Sequence, residues 1–228
     1  MSSIKTMINT FNLGINHYYF EYRFRDVGKS DYEWFRVEIS LNDTTNAGQL
    51  GAILIVESIQ FEKELQFDAE RDALSKLYNK KLTQELVQEY LDTGKDGVLF
   101  MIDIDNFKKI NDNLGHDVGD QLIVDVADAL VSLFRKDDII GRIGGDEFIV
   151  FVKLSAEKFD IENKAGEICK ILNKTYSNDT TNVTVSASIG ISKTSLSTYS
   201  FDQLYKLADV ALYTSKEKGK NTFTYMDG

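Results

Sequence analysis

The chain has 228 residues, 43% of them hydrophobic, and a formal charge of −10. That length and apolar content suffice for one ordinary domain plus a smaller unit, while the acidic balance argues against nucleic acid as a bulk partner, since phosphate backbones bind basic surfaces. The single cysteine, Cys169, excludes an internal disulfide and fits a reducing compartment.

The longest apolar runs, residues 51–56 and 97–102, are far shorter than the roughly 20 residues that cross a bilayer. Residues 1–5 contain no apolar secretory core, so a cytoplasmic protein with no membrane partner is expected. Along the chain, Tyr18, Phe20, Tyr22 and Phe24 alternate with Tyr19, Glu21, Arg23 and Arg25, the period of a half-buried strand. Phe35, Val37, Ile39 and Leu41 repeat that period, and a third strand spans about residues 51–59, with turn-forming stretches at 26–31 and 42–48. This three-stranded antiparallel meander, with Trp34 in its middle strand, resembles the C-terminal sheet of a PAS sensor domain. The helices that close a PAS pocket would have to come from residues 1–16, which cannot hold them all. Residues 1–60 therefore read as a truncated PAS-like segment that serves packing or dimer contact in preference to ligand sensing.

Phe61, Leu65, Ala69 and Ala73 recur at helical spacing within residues 61–77. They predict a connecting helix, placed at 61–71, that could pair with its copy in a dimer. The second unit, 72–228, brings an apolar strand at 97–105 in which Asp103 and Asp105 share one face and Ile102 and Ile104 the other. A carboxylate ending a buried strand needs a metal or a hydrogen-bonding partner, and Asp105 taken alone reads as the cap of the helix that follows.

A short helix at 106–113 closes at Gly115, and a longer one at 117–134 turns Leu122, Ile123, Val126, Leu130 and Phe134 inward. His116 between them reads as a loop packing residue. Next, Ile139, Ile140 and Ile143 on one side and residues 148–152 on the other flank Gly144-Gly145-Asp146-Glu147, a hairpin whose adjacent acids repel unless a cation sits between them. An amphipathic helix is expected over 155–176, with Cys169 on its packing face, and a strand over 183–191. Ser200 and Gln203 form a capping box for a last helix that buries Leu204, Leu207, Ala208, Ala211 and Leu212. Lys216 and Lys220 leave its final turn. The order helix, strand, two helices, hairpin, helix, strand, helix reads as α/β, a mixed sheet flanked by helices.

Residues 72–225 resemble a GGDEF domain, the diguanylate cyclase family, on several spaced blocks in the right order. These are Gly144 to Phe148, Asp103 to Asp112, Gly115 to Asp120, Ser188 to Ile191, and Ala208 to Tyr213 with Lys216, Gly219 and Asn221. The resemblance implies a fold similar to the palm of polymerases and nucleotide cyclases, and condensation of two GTP into cyclic di-GMP with release of two pyrophosphates. It further implies that Asp103, the Ile104 carbonyl, Asp146 and Glu147 hold two Mg²⁺ or Mn²⁺ ions in each half-site. Asp146 would accept the hydroxyl proton and Lys108 would stabilise the transferring phosphate. Asn111 and Asp120 would read guanine, Phe107, Gly144 and Gly145 would adjoin the substrate, and Lys216 and Lys220 would hold the terminal phosphates. Where Lys220 stands the family more often has arginine, so the charge is kept but the bidentate fork is lost.

Arg135 and Asp138 match an R-x-x-D pattern implying a product-inhibition site. The active form would be a homodimer, each copy presenting one GTP. The competing readings are a non-catalytic module that binds GTP or cyclic di-GMP, disfavoured by the intact metal ligands, and a cyclase making a mixed dinucleotide, disfavoured by Asp120.

Overall fold

The computed structural model describes residues 17–26, 28, 31–43, 50–154, 159–178, 181–195 and 199–226. The chain divides into two compact units, Met1–Ala69 and Glu70–Gly228.

In the first unit β1 (His17–Phe24), β2 (Glu33–Asp43) and β3 (Leu50–Ser58) form an antiparallel meander, followed by α1 (Gln60–Glu70). The alternation of aromatic residues makes one face: Tyr18 pairs with Ile39, Phe20 with Val37 and Tyr22 with Phe35, and the rings of Tyr22 and Phe35 stack at 6.0 Å. Glu21 on β1 receives Arg36 from β2 at 3.0 Å and Lys63 from α1 at 2.7 Å, which ties the helix to the sheet. The helix stops at Glu70, shorter than the apolar spacing through Ala73 suggested. Beyond it the Asp72 carboxylate accepts the backbone N–H and hydroxyl of Ser75, and this local turn competes with helix. Residues 1–16, where the PAS-closing helices were sought, and most of the turn at 42–48 lie outside the described residues.

The second unit contains α2 (Lys80–Asp92), β4 (Gly97–Asp105), α3 (Phe107–Leu114), α4 (His116–Leu133), β5 (Ile139–Gly144), β6 (Glu147–Lys153), α5 (Ile161–Leu172), β7 (Lys174–Ser177), β8 (Asn182–Lys193), α6 (Phe201–Glu217) and β9 (Phe223–Met226). The strand order is β5-β6-β4-β8-β7, with β9 parallel to β8 and the other pairs antiparallel. This is the mixed sheet flanked by helices that the element order implied.

Strand β4 is buried along its whole length, and its period of two feeds two cores. Val98, Phe100, Ile102 and Ile104 join Leu122, Ile123, Val126 and Leu130 of α4 and Ile168 of α5. Leu99 and Met101 join Val87 and Leu91 of α2 and Leu204, Ala208 and Leu212 of α6. Half of the capping box of α6 forms as read, with the Ser200 hydroxyl accepting from Gln203 N, while the Gln203 side-chain oxygen accepts the Tyr199 N–H at 2.9 Å, one residue before the cap.

Two local expectations are corrected, and one strand was not anticipated. The helix expected over 155–176 spans only Ile161–Leu172, because Thr175 and Tyr176, a β-branched and an aromatic residue, pair with Thr184 and Val183 as β7. His116 is the exposed first residue of α4 and does no packing. Strand β9 has four residues, too few to display a period, and forms because β8 offers its edge.

Gly190 lets α6 lie on β8. A Cβ there would overlap the Ala208 carbonyl oxygen and the backbone of Leu212, main-chain atoms that cannot swing aside. Gly190→Ala should therefore lower the unfolding free energy by about 1–3 kcal/mol, read as a lower urea midpoint at unchanged m. An unchanged midpoint would contradict this packing account.

Candidate functional site

The end of β4 and the tip of the β5–β6 hairpin meet because of strand register. Asp103 lies opposite Glu147 across the β4–β6 ladder, and the Ile104 N–H donates to the Asp146 carbonyl at 3.1 Å. The hairpin contains a register shift between Arg142 and Gly144, and Gly145 takes φ +44°, a left-handed conformation that favours glycine. Arg142 clamps this tip. Its Nε and one terminal nitrogen donate to the Gly145 carbonyl at 3.0 and 2.7 Å, and its other terminal nitrogen reaches Asp72 at 2.9 Å. Neither Arg142 nor Asp72 was singled out from sequence, although a charged residue inside a strand that otherwise reads apolar is a visible signal.

Asp103 is 7% exposed and shares the parity of Leu99 and Met101, so its carboxylate looks toward the α6 side. Lys216 from the last turn of α6 meets it at 2.7 Å. Burial pushes the Asp103 carboxyl above its usual range, Lys216 opposes that rise, and Asp146 and Glu147 add to it by like-charge repulsion. Among the described residues no three acidic, histidine or cysteine side chains converge at metal-binding distance.

Asp105 does not cap α3. The residue before that helix is Asn106, held at φ +64° without a side-chain cap bond, and Asp105 instead turns to β8. It accepts the hydroxyls of Ser186 at 2.6 Å and Ser188 at 2.7 Å and the Asn221 N–H at 3.1 Å. At 2% exposure its charge is thus spread over three donors. The Asn221 bond also fixes the turn after α6, where Lys220 and Asn221 both have positive φ, and Lys220 Nζ sits 3.4 Å from the Asn106 side-chain oxygen.

The remaining predicted residues fall into three groups. Lys108 is exposed on the first turn of α3, Asn111 is half-buried on the same helix, and Asp120 is exposed on α4. Phe107 packs against the larger core, while Gly144 and Gly145 are exposed at the tip. Arg135 and Asp138 are not part of this cluster: they precede β5, and six residues of strand, about 20 Å, separate them from the tip. Asp138 accepts the backbone N–H groups of Arg135 at 3.0 Å and Lys153 at 3.1 Å, so its carboxylate shapes that turn.

The sequence matches the family described as "Diguanylate cyclase, GGDEF domain" over residues 69–222. The chain belongs to the GGDEF family. Over 166 residues it is 33% identical to the probable diguanylate cyclase DgcC of Escherichia coli K12, covering 71% of this chain and 44% of DgcC. It is also 33% identical over 172 residues to the cyclic di-GMP phosphodiesterase PdeR of the same organism, covering 74% of this chain and 26% of PdeR. The chain thus spans less than half the length of these curated relatives. The crystal structure of the coiled coil and GGDEF domain of DgcB from Caulobacter crescentus, in complex with c-di-GMP, matches with a TM-score of 0.64 at 26% identity, covering 73% of this chain and 90% of that one.

The clamp within this GGDEF domain has a pH signature. Burial alone would raise the Asp72 carboxyl, but the Ser75 N–H and hydroxyl and the Arg142 guanidinium outweigh it and hold it below the usual carboxylate range. A depressed folded-state value gives stability that is complete above the unfolded value, about pH 4, and is lost as pH falls through the folded one. Asp72→Asn should then cost about 1–2 kcal/mol near pH 7, and denaturant titrations should find the deficit shrinking below about pH 4. A deficit of the same size at every pH would refute the charged clamp.

Proposed function

We propose that residues 70–228 act as a diguanylate cyclase that joins two GTP into cyclic di-GMP. The observation that carries the reading is the meeting of Asp103 with the Asp146–Glu147 tip, with Lys216 at 2.7 Å from the buried carboxylate. Asp103, Asp146, Glu147 and the Ile104 carbonyl are hard oxygen donors that fit Mg²⁺ or Mn²⁺, and the repulsion of Asp146 and Glu147 against the buried Asp103 carboxylate is what a divalent ion relieves. Bound there as a pair, such ions would polarise the α-phosphate and lower the pKa of the attacking hydroxyl.

The chain's own groups do the rest. Asn111 and Asp120 take the guanine edge, since a carboxylate accepts from the N1 and N2 donors of guanine and opposes the acceptor of adenine. Lys216 and Lys220 hold the terminal phosphates, and Lys108 offsets charge that builds at the phosphate in transfer. Asp146 takes the proton from the 3′-hydroxyl as that oxygen bonds to the α-phosphorus of the other GTP and the bond to the β-phosphate oxygen breaks. Phe107, at the start of α3, adjoins the nucleotide, and Gly144 and Gly145 leave the backbone open to it.

Two such transfers close the ring and release two pyrophosphates. Each domain presents one GTP, so the acting form is a homodimer. Arg135 and Asp138, away from the tip, constitute an inhibitory site for the product. The first unit, on this reading, is a partial PAS-like element that favours pairing.

Incubation with GTP, ATP and Mg²⁺ followed by product identification tests the proposal. Cyclic di-GMP should form with specific activity that rises with protein concentration, Asp146→Ala should reduce turnover by roughly 10²–10⁴-fold without unfolding, and Arg135→Ala should relieve inhibition by added cyclic di-GMP. A folded, dimeric sample that makes none of it would leave the binding-module reading, and a mixed dinucleotide would overturn the guanine assignment. Unchanged inhibition in Arg135→Ala would remove the inhibitory site.

A further inference from the structure

We infer that Gly119 is a positioning residue that sets the base-reading amide of Asn111 in place. Gly119 is buried in the first turn of α4, where its N–H donates to the Gly115 carbonyl at 3.2 Å. A Cβ built at Gly119 would overlap Asn111 Oδ1, with Asn111 Cγ at 3.0 Å and Nδ2 at 3.5 Å. The side-chain amide of Asn111 therefore occupies the space that the Cβ of any other residue at 119 would fill. The main chain of Asn111 is fixed separately, since its carbonyl accepts from Gly115 N at 3.1 Å where α3 ends. What remains adjustable at Asn111 is the direction of its amide, and Gly119 determines that direction.

Gly119 has no backbone need for glycine, because it lies in regular helix without a positive φ. In such a position glycine costs about 1 kcal/mol relative to alanine, so the helix itself favours the substitution. The one obstacle to alanine is the far end of a flexible side chain, which can rotate away. Replacement should leave the fold intact and move the amide.

The inference rests on the proposed reading of Asn111 as a guanine contact. An amide offers one acceptor and one pair of donors in a fixed plane, and turning it through a rotamer change breaks the pairing with a base edge while leaving the phosphate and metal groups untouched. The expected loss is in nucleotide affinity, with little effect on the chemical step.

Gly119→Ala, Asn111→Ala and the double variant are compared with the parent for GTP turnover, for affinity toward a non-hydrolysable GTP analogue and for thermal unfolding. Gly119→Ala should weaken the analogue and raise KM about tenfold, the worth of one hydrogen bond, keep kcat within about threefold, and leave Tm equal or higher. Because the glycine acts through Asn111, the double variant should bind no worse than Asn111→Ala alone. Normal affinity in Gly119→Ala beside weakened affinity in Asn111→Ala would overturn the positioning role while sparing the guanine contact. Losses that multiply in the double variant, or a lowered Tm in Gly119→Ala, would overturn it in favour of a packing role. Unchanged affinity in Asn111→Ala would remove the guanine contact and the inference with it.

Discussion

Near the end of a buried strand Asp103 places a carboxylate, and the sheet around it has no way to solvate that charge. Burial and two neighbouring acids raise the free energy of its ionised form, and a cation must sit close by to offset them. That cation is Lys216, delivered by the last turn of α6. The position of α6 depends in turn on Gly190, which lets its backbone approach β8. Thus a packing decision in one core sets which charge faces Asp103. A phosphate-bearing ligand with its metal could take both roles at once, the metal on the carboxylates and the lysine on the phosphate. The lysine contact and the proposed metal site are then alternative occupants of one electrostatic need.

Asp105 carries a different burden although only two residues away. Three donors, two of them serine hydroxyls, hold it in the sheet. What it supplies is anchorage for a strained turn: Lys220 and Asn221 both have positive φ, and the Asn221 N–H bond holds them there. Asn106, also left-handed, lies against Lys220. The two aspartates of one strand end therefore divide the work, one presenting charge and the other fixing the loop that carries a lysine.

Much of this was legible in the sequence for physical reasons. The apolar runs at 97–102 and 148–152 marked two buried strands, whose pairing only the structure shows, and the double glycine with two acids marked the hairpin and its electrostatic conflict. The α4 and α6 faces followed from helical period. What was not legible depended on distant partners. Asp105 looks like a cap until Ser186 and Ser188 arrive from 81 and 83 residues away. Likewise, Arg142 acquires its meaning only from Asp72, and β9 only from the edge of β8. The helix read through 176 failed because the pairing of β7 with β8 overrides local amphipathicity. In the first unit Ile53, Leu54, Ile55 and Val56 are each about half exposed, so the apolar run marked the strand without revealing what covers it.

The claim that Asp103 is the charge around which the site is built is tested most directly by Mn²⁺ uptake, followed by electron paramagnetic resonance with a non-hydrolysable GTP analogue present. Asp103→Asn keeps the shape of the strand end and removes its charge. The account predicts that this variant binds Mn²⁺ at least about tenfold more weakly than the parent, with a Tm equal or higher because burial and two neighbouring acids already oppose a charge there. Mn²⁺ binding as tight in Asp103→Asn as in the parent would contradict it.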